Sequence, residues 1–209
     1  MDYGLYVITD EIAATGRSHV HIAQKCMKHG ANVLQIRDSK MSHEELLASA
    51  KEVVDIVKGR NMAVIVCDDL DAALESGAQG VHIYQSEIGV TDARKKSPQG
   101  FLVGVSVGDK EEAIKAQSEG ADYLIWGPLF QSYLEDLGEL KGLDDLRDLK
   151  SAVRIPVIAI GGIKLFNVAE TLAAGADGVA VKTGALHQRD IGEAVDLLAK
   201  AIARQRKGV

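Results

Sequence analysis

The stretch Ile155-Pro156-Val157-Ile158-Ala159-Ile160-Gly161-Gly162-Ile163 indicates the kind of fold. Its apolar run predicts a short strand buried on both faces, because a strand with one wet face would alternate with polar residues. A helical run over residues 165–174 and a second apolar strand at 178–181 follow, and that strand ends at Lys182-Thr183-Gly184. Two parallel strands that end in this way predict a phosphate site at Gly161, Gly162 and Thr183 with Lys182 beside it. Glycines that only form tight turns would give the same pattern.

The same alternation of strand and helix runs through the whole chain. Apolar runs lie at residues 5–8, 33–36, 63–66, 80–83, 102–105, 123–126, 157–160 and 178–181, and helical periodicity is clearest at 44–57, 110–118 and 191–203. Gly-Ala turns at 30–31, 77–78, 120–121 and 175–176 precede every second strand, so the repeat spans two βα units. Eight such units predict one compact (β/α)8 TIM barrel over residues 1–209, with its chemistry at the carboxyl ends of the strands.

Composition excludes several classes of function. The chain of 209 residues has a net charge of −6 and only 4% aromatic residues, whereas nucleic-acid binding needs a basic face and stacking rings. No apolar run approaches membrane-spanning length. Cys26 and Cys67 form no disulfide framework, which predicts a cytoplasmic protein. We therefore expect small-molecule partners, no nucleic acid and no membrane, with a homo-oligomer left open.

Polar residues at the strand ends are the candidate site. Gln35 and Arg37 lie two apart and share one face of a strand, so Arg37 can grip phosphate oxygens while Gln35 reads a pyrimidine edge. The alternative is an interior polar layer closed by an Arg–carboxylate pair. Asp68 and Glu87 follow neighbouring strands and would form an oxygen site for Mg²⁺ carrying a diphosphate, unless Glu87 is a solvated loop residue.

Two further residues have a structural interpretation that we favour. His82 lies inside a predicted strand, where a core histidine is commoner than a catalytic base. Cys67 has no neighbouring histidine in sequence and is expected to line a pocket rather than to act as a nucleophile.

Taken in order, these segments resemble thiamine-phosphate synthases and their sister group, the thiazole tautomerases of TenI type. The resemblance rests on Leu5-Tyr6-Val7-Ile8-Thr9-Asp10, Gln35-Ile36-Arg37, Asp68 with Asp71-Ala72-Ala73-Leu74, Gly80-Val81-His82-Ile83, Gly104-Val105-Ser106, Gly127-Pro128-Leu129-Phe130, Ile160-Gly161-Gly162-Ile163 and residues 175–181. Single motifs of this set occur in other phosphate-binding barrels, but the ordered set is specific.

The resemblance implies an enzyme that joins hydroxymethylpyrimidine diphosphate to a thiazole phosphate and expels pyrophosphate. It implies that Arg37 and Mg²⁺ on Asp68 and Glu87 hold the diphosphate, which Ser106 also contacts. By the same resemblance, the pyrimidine lies against Gln35 and Cys67, and the thiazole phosphate binds Gly161, Gly162 and Thr183.

Several positions depart from the family pattern. The lysine of the Gln-x-Arg-x-Lys motif is Ser39 here, with Lys40 one place later, and Cys67 replaces the asparagine that usually precedes the metal aspartate. The Thr-x-Thr-Lys motif reads Ser132-Tyr133-Leu134-Glu135, so Ser132 keeps a hydroxyl and Lys141 or Lys182 has to replace the missing charge. The tautomerase needs a histidine after Ser106-Val107, where this chain has Gly108-Asp109. The expectation is a Mg²⁺-dependent synthase, with a tautomerase using Asp109 or a non-catalytic phosphate-binding barrel as alternatives.

Overall fold

The structure is a computed structural model, and it describes residues 1–84, 88–132 and 138–208. The strands are β1 (Leu5–Ile8), β2 (Val33–Ile36), β3 (Ala63–Cys67), β4 (Gly80–Ile83), β5 (Leu102–Val107), β6 (Tyr123–Trp126), β7 (Val157–Ile160) and β8 (Gly178–Val181). The helices are α1 (His19–Lys28), α2 (His43–Val57), α3 (Leu70–Ser76), α4 (Val90–Lys96), α5 (Lys110–Ser118), α6 (Leu143–Ala152), α7 (Val168–Ala173), α8 (Thr183–Leu186) and α9 (Ile191–Arg206).

The strands form a closed parallel barrel in sequence order, with β1 paired to β8. The predicted (β/α)8 fold is therefore confirmed. Only one of the predicted helices differs appreciably, because α7 begins at Val168 rather than at residue 165. Leu165 and Phe166 stay exposed in the preceding loop.

Two apolar cores hold the barrel together, as the continuous apolar strands require. Inward-facing residues such as Ile65, Ile125 and Ile158 fill the interior, and outward-facing residues such as Leu34 and Leu124 pack under the helices. Each fully buried side chain of this size contributes about 1.5–3 kcal/mol. The interior of the barrel is consequently filled with side chains and is not a pore.

The repeated Gly-Ala turns place the residue that follows each alanine next to the preceding strand. Each glycine takes a left-handed φ, between +75° at Gly77 and +105° at Gly175, and the following alanine is buried. The third residue then clamps the preceding strand, because its side chain accepts that strand's N–H at 2.7–2.8 Å while its own N–H donates to the same residue's carbonyl. These strand-pair clamps are Asn32 on Leu5, Gln79 on Val64, Asp122 on Val103 and Asp177 on Val157.

The clamps lie at the amino ends of the strands, on the face opposite the predicted chemistry. Asn32 also donates to Asp2, and Asp2 accepts from Arg206 of α9 at 2.6 Å. Near-terminal residues of the chain are thus tied together at this face. The carboxyl ends of the strands, by contrast, carry the loops of the candidate site.

Candidate functional site

A cavity of about 250 Å³ opens at the carboxyl ends of the strands. Its lining includes Arg37, Ser132, Gly162, Lys182 and Thr183, which were predicted from the sequence. It also includes Tyr84, which was not among the predicted site residues. Its apolar wall includes Ile8, Ile160 and Ala180. A larger depression of about 700 Å³ lies at the amino ends of β2 to β4, but it contains none of the predicted site residues. The smaller cavity is therefore the candidate site.

The paired glycines after β7 form one corner of this cavity. Gly161 has φ +97° and Gly162 has φ +59°, and a Cβ on Gly162 would lie 2.3 Å from the carbonyl oxygen of Phe130. Only glycine combines this left-handed backbone with such a close approach. The turn is therefore packed against the segment after β6, and Phe130 N–H donates to the Gly161 carbonyl at 3.1 Å.

Asn167 fixes the other side of the same loop, and sequence reasoning missed it. Its side chain is 2% exposed; Nδ2 donates to the Gly162 carbonyl at 3.1 Å, and Oδ1 accepts from Lys164 N–H at 2.7 Å. The signal available in the sequence was an asparagine five residues after the Gly-Gly turn. Asn167 is a positioning residue, since it shapes the loop without lining the cavity.

Lys182 and Thr183 close the glycine corner from β8. The Lys182 ammonium lies 3.5 Å from Asp10 Oδ2, and both side chains are largely shielded from solvent. Asp10 is itself held by the N–H of Ala13, which donates to its Oδ1 at 2.8 Å. This ion pair keeps a cation beside the glycine turn, where a phosphate would need one.

Arg37 also lines the cavity, and it stacks on an aromatic ring. Its guanidinium carbon lies 4.3 Å from the centroid of Tyr84, a cation–π geometry that sequence analysis did not predict. The backbone N–H of Arg37 donates to Thr9 Oγ1 at 3.1 Å, and Thr9 Oγ1 lies 2.8 Å from Nδ1 of buried His19. The arginine is thus held at both its backbone and its head group.

Asp68 directly follows β3 and has an unusual backbone. It has φ +59°, which non-glycine residues rarely adopt, and its Oδ1 accepts the N–H of Tyr84 at 2.6 Å. Glu87, its predicted metal partner, lies outside the described residues. Within the described ranges, no cluster of three or more His, Cys, Asp or Glu side chains has the arrangement of a metal site.

The floor beneath the cavity is a chain of buried polar groups. Gln35 is 1% exposed, and its Oε1 accepts from Tyr6 hydroxyl at 2.8 Å, while Tyr6 and Tyr123 hydroxyls lie 2.9 Å apart. Gln35 also hydrogen-bonds Cys67, and burial raises the pKa of that thiol to about 12. Gln35 and Cys67 are therefore buried side chains that do not line the cavity.

Ser106 and His82 form a pair on neighbouring strands at the edge of this floor. His82 Nε2 lies 2.9 Å from Ser106 Oγ, and His82 is 1% exposed. Burial lowers the pKa of His82 to about 3, with the charge of Arg37 acting in the same direction. The prediction of a core histidine is confirmed, and its side chain faces the barrel interior.

Three predicted substitutes for missing motif residues lie elsewhere. Lys141 donates from Nζ to the Gly108 carbonyl at 2.8 Å, so it joins two loops instead of entering the cavity. Lys40 is exposed and does not line the cavity. Asp109 accepts a hydrogen bond from Glu112 N–H at 2.8 Å and caps α5. The carboxylate considered as a tautomerase base therefore serves as a helix cap. Of the altered loop, Ser132 is buried at the cavity wall, whereas residues 133–137 lie outside the described residues.

Comparisons with known proteins agree with one another. The family described as thiamine monophosphate synthase matches residues 5–185. A thiamine-phosphate synthase from Methanocella arvoryzae is 43% identical over 207 residues, covering 99% of this chain and 98% of that relative. A second, from Methanospirillum hungatei, is 44% identical and covers 93% of this chain and 95% of its own length.

Solved structures give the same result. A thiamine phosphate pyrophosphorylase from Pyrococcus furiosus superposes with a TM-score of 0.89 at 30% identity, covering 98% of this chain and 97% of that one. A 3-hexulose-6-phosphate synthase superposes with a TM-score of 0.72 at 19% identity over 95% of this chain and 99% of the other, a likeness of fold alone. In the described part of the chain, no helix is long and apolar enough to cross a membrane.

Proposed function

The chain belongs to the thiamine monophosphate synthase family and catalyses the thiamine-phosphate synthase step of thiamine biosynthesis, and on this basis we propose how its residues divide the work. Its substrates are phosphorylated thiamine precursors. We assign a hydroxymethylpyrimidine diphosphate to the Arg37 side of the cavity and a thiazole phosphate to the glycine side. The observation that carries this assignment is the presence of two cationic corners, Arg37 and Lys182, on one cavity.

The thiazole phosphate would bind at Gly161, Gly162, Lys182 and Thr183. Glycine turns let backbone N–H groups approach an anion closely, and the Thr183 hydroxyl and Lys182 ammonium add charge-assisted hydrogen bonds. The carbonyls of both glycines are already engaged by Phe130 and Asn167, which supports a fixed loop orientation. Fixed donors lose less entropy on binding than mobile ones.

The diphosphate would bind between Arg37, Ser106 and the Asp68 side of the mouth. Arg37 is suited to paired phosphate oxygens because its planar fork is already oriented by Tyr84. We also assign Lys40 and Ser132 to substrate contacts; Lys40 would have to swing inward from its exposed position. Gln35 and Cys67 would contact the pyrimidine from below.

Mg²⁺, which this family typically uses, fits the residues present. Asp68 supplies a hard carboxylate at a strand end, oriented by the Tyr84 N–H, and Glu87 follows the next strand. Mg²⁺ commonly takes only one or two protein carboxylates and completes its shell with phosphate oxygens and water, so a large cluster of acidic residues is not required. When bound, the cation would neutralise charge on the departing diphosphate.

The reaction breaks the bond between the pyrimidine methylene carbon and the diphosphate oxygen, and the thiazole nitrogen supplies the electron pair for the new carbon–nitrogen bond. Pyrophosphate leaves with the electrons of the broken bond. Arg37 and Ser106 would stabilise that developing charge, while the apolar wall of Ile8, Ile160 and Ala180 would keep water from the electrophilic carbon.

A synthase assay with both substrates and varied Mg²⁺ tests the assignment through neighbouring aspartates. Asp68→Asn is expected to lower kcat by about 10²-fold or more, since a lost metal ligand removes several kcal/mol of charge stabilisation. Asp69→Asn is the matched control, because Asp69 caps α3 through Ala72 N–H and asparagine caps equally well. Equal losses in the two variants, or Mg²⁺-independent turnover, would refute the metal assignment.

Two coarser proposals complete the assignment. We propose a cytoplasmic location, since Cys26 and Cys67 are both free thiols and buried. A homo-oligomer stays a prediction, and sedimentation analysis of the purified chain tests it.

A further inference from the structure

We propose that His82 is a positioning residue for Ser106: it donates from Nε2–H to Ser106 Oγ, and so leaves the serine's own proton directed at the leaving diphosphate. The role in catalysis rests on the proposed function, which places Ser106 beside that diphosphate. The hydrogen-bond direction itself rests on the geometry of the barrel interior.

The position of His82 allows the ring little freedom. His82 faces inward from β4, and its ring stacks on Tyr123 with centroids 5.7 Å apart and an interplanar angle of 23°. Its backbone is paired in register with Gly104 of β5, two residues before Ser106. The imidazole is therefore held edge-on to the serine hydroxyl.

The 2.9 Å contact admits two hydrogen-bond directions. If Nδ1 carries the proton, Ser106 donates to a bare Nε2, which is the arrangement of an activated serine nucleophile. If Nε2 carries the proton, the serine oxygen accepts and its hydroxyl is free to donate elsewhere.

The second ring nitrogen decides between these directions. Nδ1 of His82 is buried, and across residues 1–84, 88–132 and 138–208 it has no hydrogen-bond partner. A protonated Nδ1 would be a buried donor without an acceptor, and such orphaned N–H groups are rarer in proteins than unsatisfied acceptors. The proton consequently belongs on Nε2, where Ser106 accepts it.

The charge state of the ring agrees with this arrangement. Because burial lowers the pKa of His82 to about 3, the imidazole is neutral at physiological pH and carries one ring proton. A ring of this kind does not take up the serine proton, so it positions Ser106 without acting as a base. Ser106, half-buried near the carboxyl end of β5, would then present an O–H donor to an incoming phosphate oxygen.

Nitrogen NMR of the labelled full chain tests the hydrogen-bond direction without any assay of activity. Two-bond nitrogen–proton correlations distinguish protonated from bare ring nitrogens, and the His82 signals are those that disappear in His82→Gln. Protonation at Nε2 is the expected result. Protonation at Nδ1 would overturn the proposal.

Kinetics with two amide variants test the role. The Gln amide reaches the place of Nε2, whereas the shorter Asn amide reaches only that of Nδ1. We expect His82→Asn to lower kcat about ten-fold, the effect of one misdirected hydrogen bond, with KM for thiazole phosphate unchanged. His82→Gln should recover most of that loss. Equal kinetics in the two folded variants, or wild-type turnover in Ser106→Ala, would overturn the positioning role. A wild-type protein without synthase turnover would instead count against the proposed function, and the NMR result would still decide the tautomer.

Discussion

Replacing Asn167 with alanine removes the side chain that holds the Gly161–Gly162 turn in place. The change deletes the bond from Nδ2 to the Gly162 carbonyl and the bond from Lys164 N–H to Oδ1. Each bond is worth about 0.5–1.5 kcal/mol, and the groups left behind in a buried site add to that cost. We therefore expect the free energy of unfolding to fall by about 2–4 kcal/mol, as measured by urea denaturation.

The same variant should bind phosphate more weakly. If the freed loop adopts the competent geometry in only about one molecule in ten, the apparent Kd rises about ten-fold. Titration calorimetry with thiazole phosphate, at a temperature where the variant is fully folded, measures that ratio.

Asn32→Ala is the matched control for this experiment. Asn32 also bridges two groups, accepting from Leu5 N–H at 2.8 Å and donating to Asp2 at 3.0 Å, but at the far end of the barrel. It should lose stability and keep its Kd. An unchanged Kd in Asn167→Ala, or the same rise in both variants, would refute the idea that Asn167 orients the loop.

Three further outcomes are expected. Tyr84→Phe should retain the KM for the pyrimidine diphosphate while Tyr84→Ala raises it several-fold, because the ring and not the hydroxyl lies 4.3 Å from Arg37; a loss in both variants would contradict this reasoning. The hydrogen bond and charge of Asp69 raise the pKa of His43 above 6.5, so this pair's contribution to stability is fully present below about pH 6.5 and is lost as pH rises through the raised pKa. Urea unfolding of wild type and His43→Gln across pH should therefore converge toward alkaline pH, and divergence would refute it. Cys67, whose pKa burial raises to about 12, should resist alkylation at pH 8 until the chain unfolds, as mass spectrometry would show; rapid labelling of the native protein would contradict its burial.

The barrel could be predicted from sequence because its signals are local. An apolar run such as Val157–Ile160 and a glycine that needs a left-handed φ each report on a few consecutive residues. The first residue of a helix is harder to predict. The sequence has helical periodicity from residue 165, but the Asn167 side chain hydrogen-bonds Lys164 N–H and the Gly162 carbonyl, and α7 begins only after it.

The site was predictable only where it follows directly from strand ends. The positions of Arg37 and Gly162 in the cavity lining could be predicted because each residue follows a recognisable strand. The stacking of Arg37 on Tyr84 and the attachment of Lys141 to Gly108 could not be predicted, since both depend on which loops meet across the mouth. Lys141 shows the limit clearly, because a charge in the right loop can still point to a neighbouring carbonyl.

The strand-pair clamps divide the chain into exchangeable segments. Each of them joins an odd strand to the even strand that follows it, as Asn32 joins β2 to β1, and none of the four joins β4 to β5. A chimera that crosses over near Gly100, between α4 and β5, would therefore inherit two complete clamps from each parent. The contact of Asp2 with Arg206 likewise places these two residues side by side, so a short linker could join them and new termini could be opened at the same junction. Recombination at this boundary would change the parent of each half and circular permutation would change the order in which the halves are synthesised, and both would leave the four clamps intact.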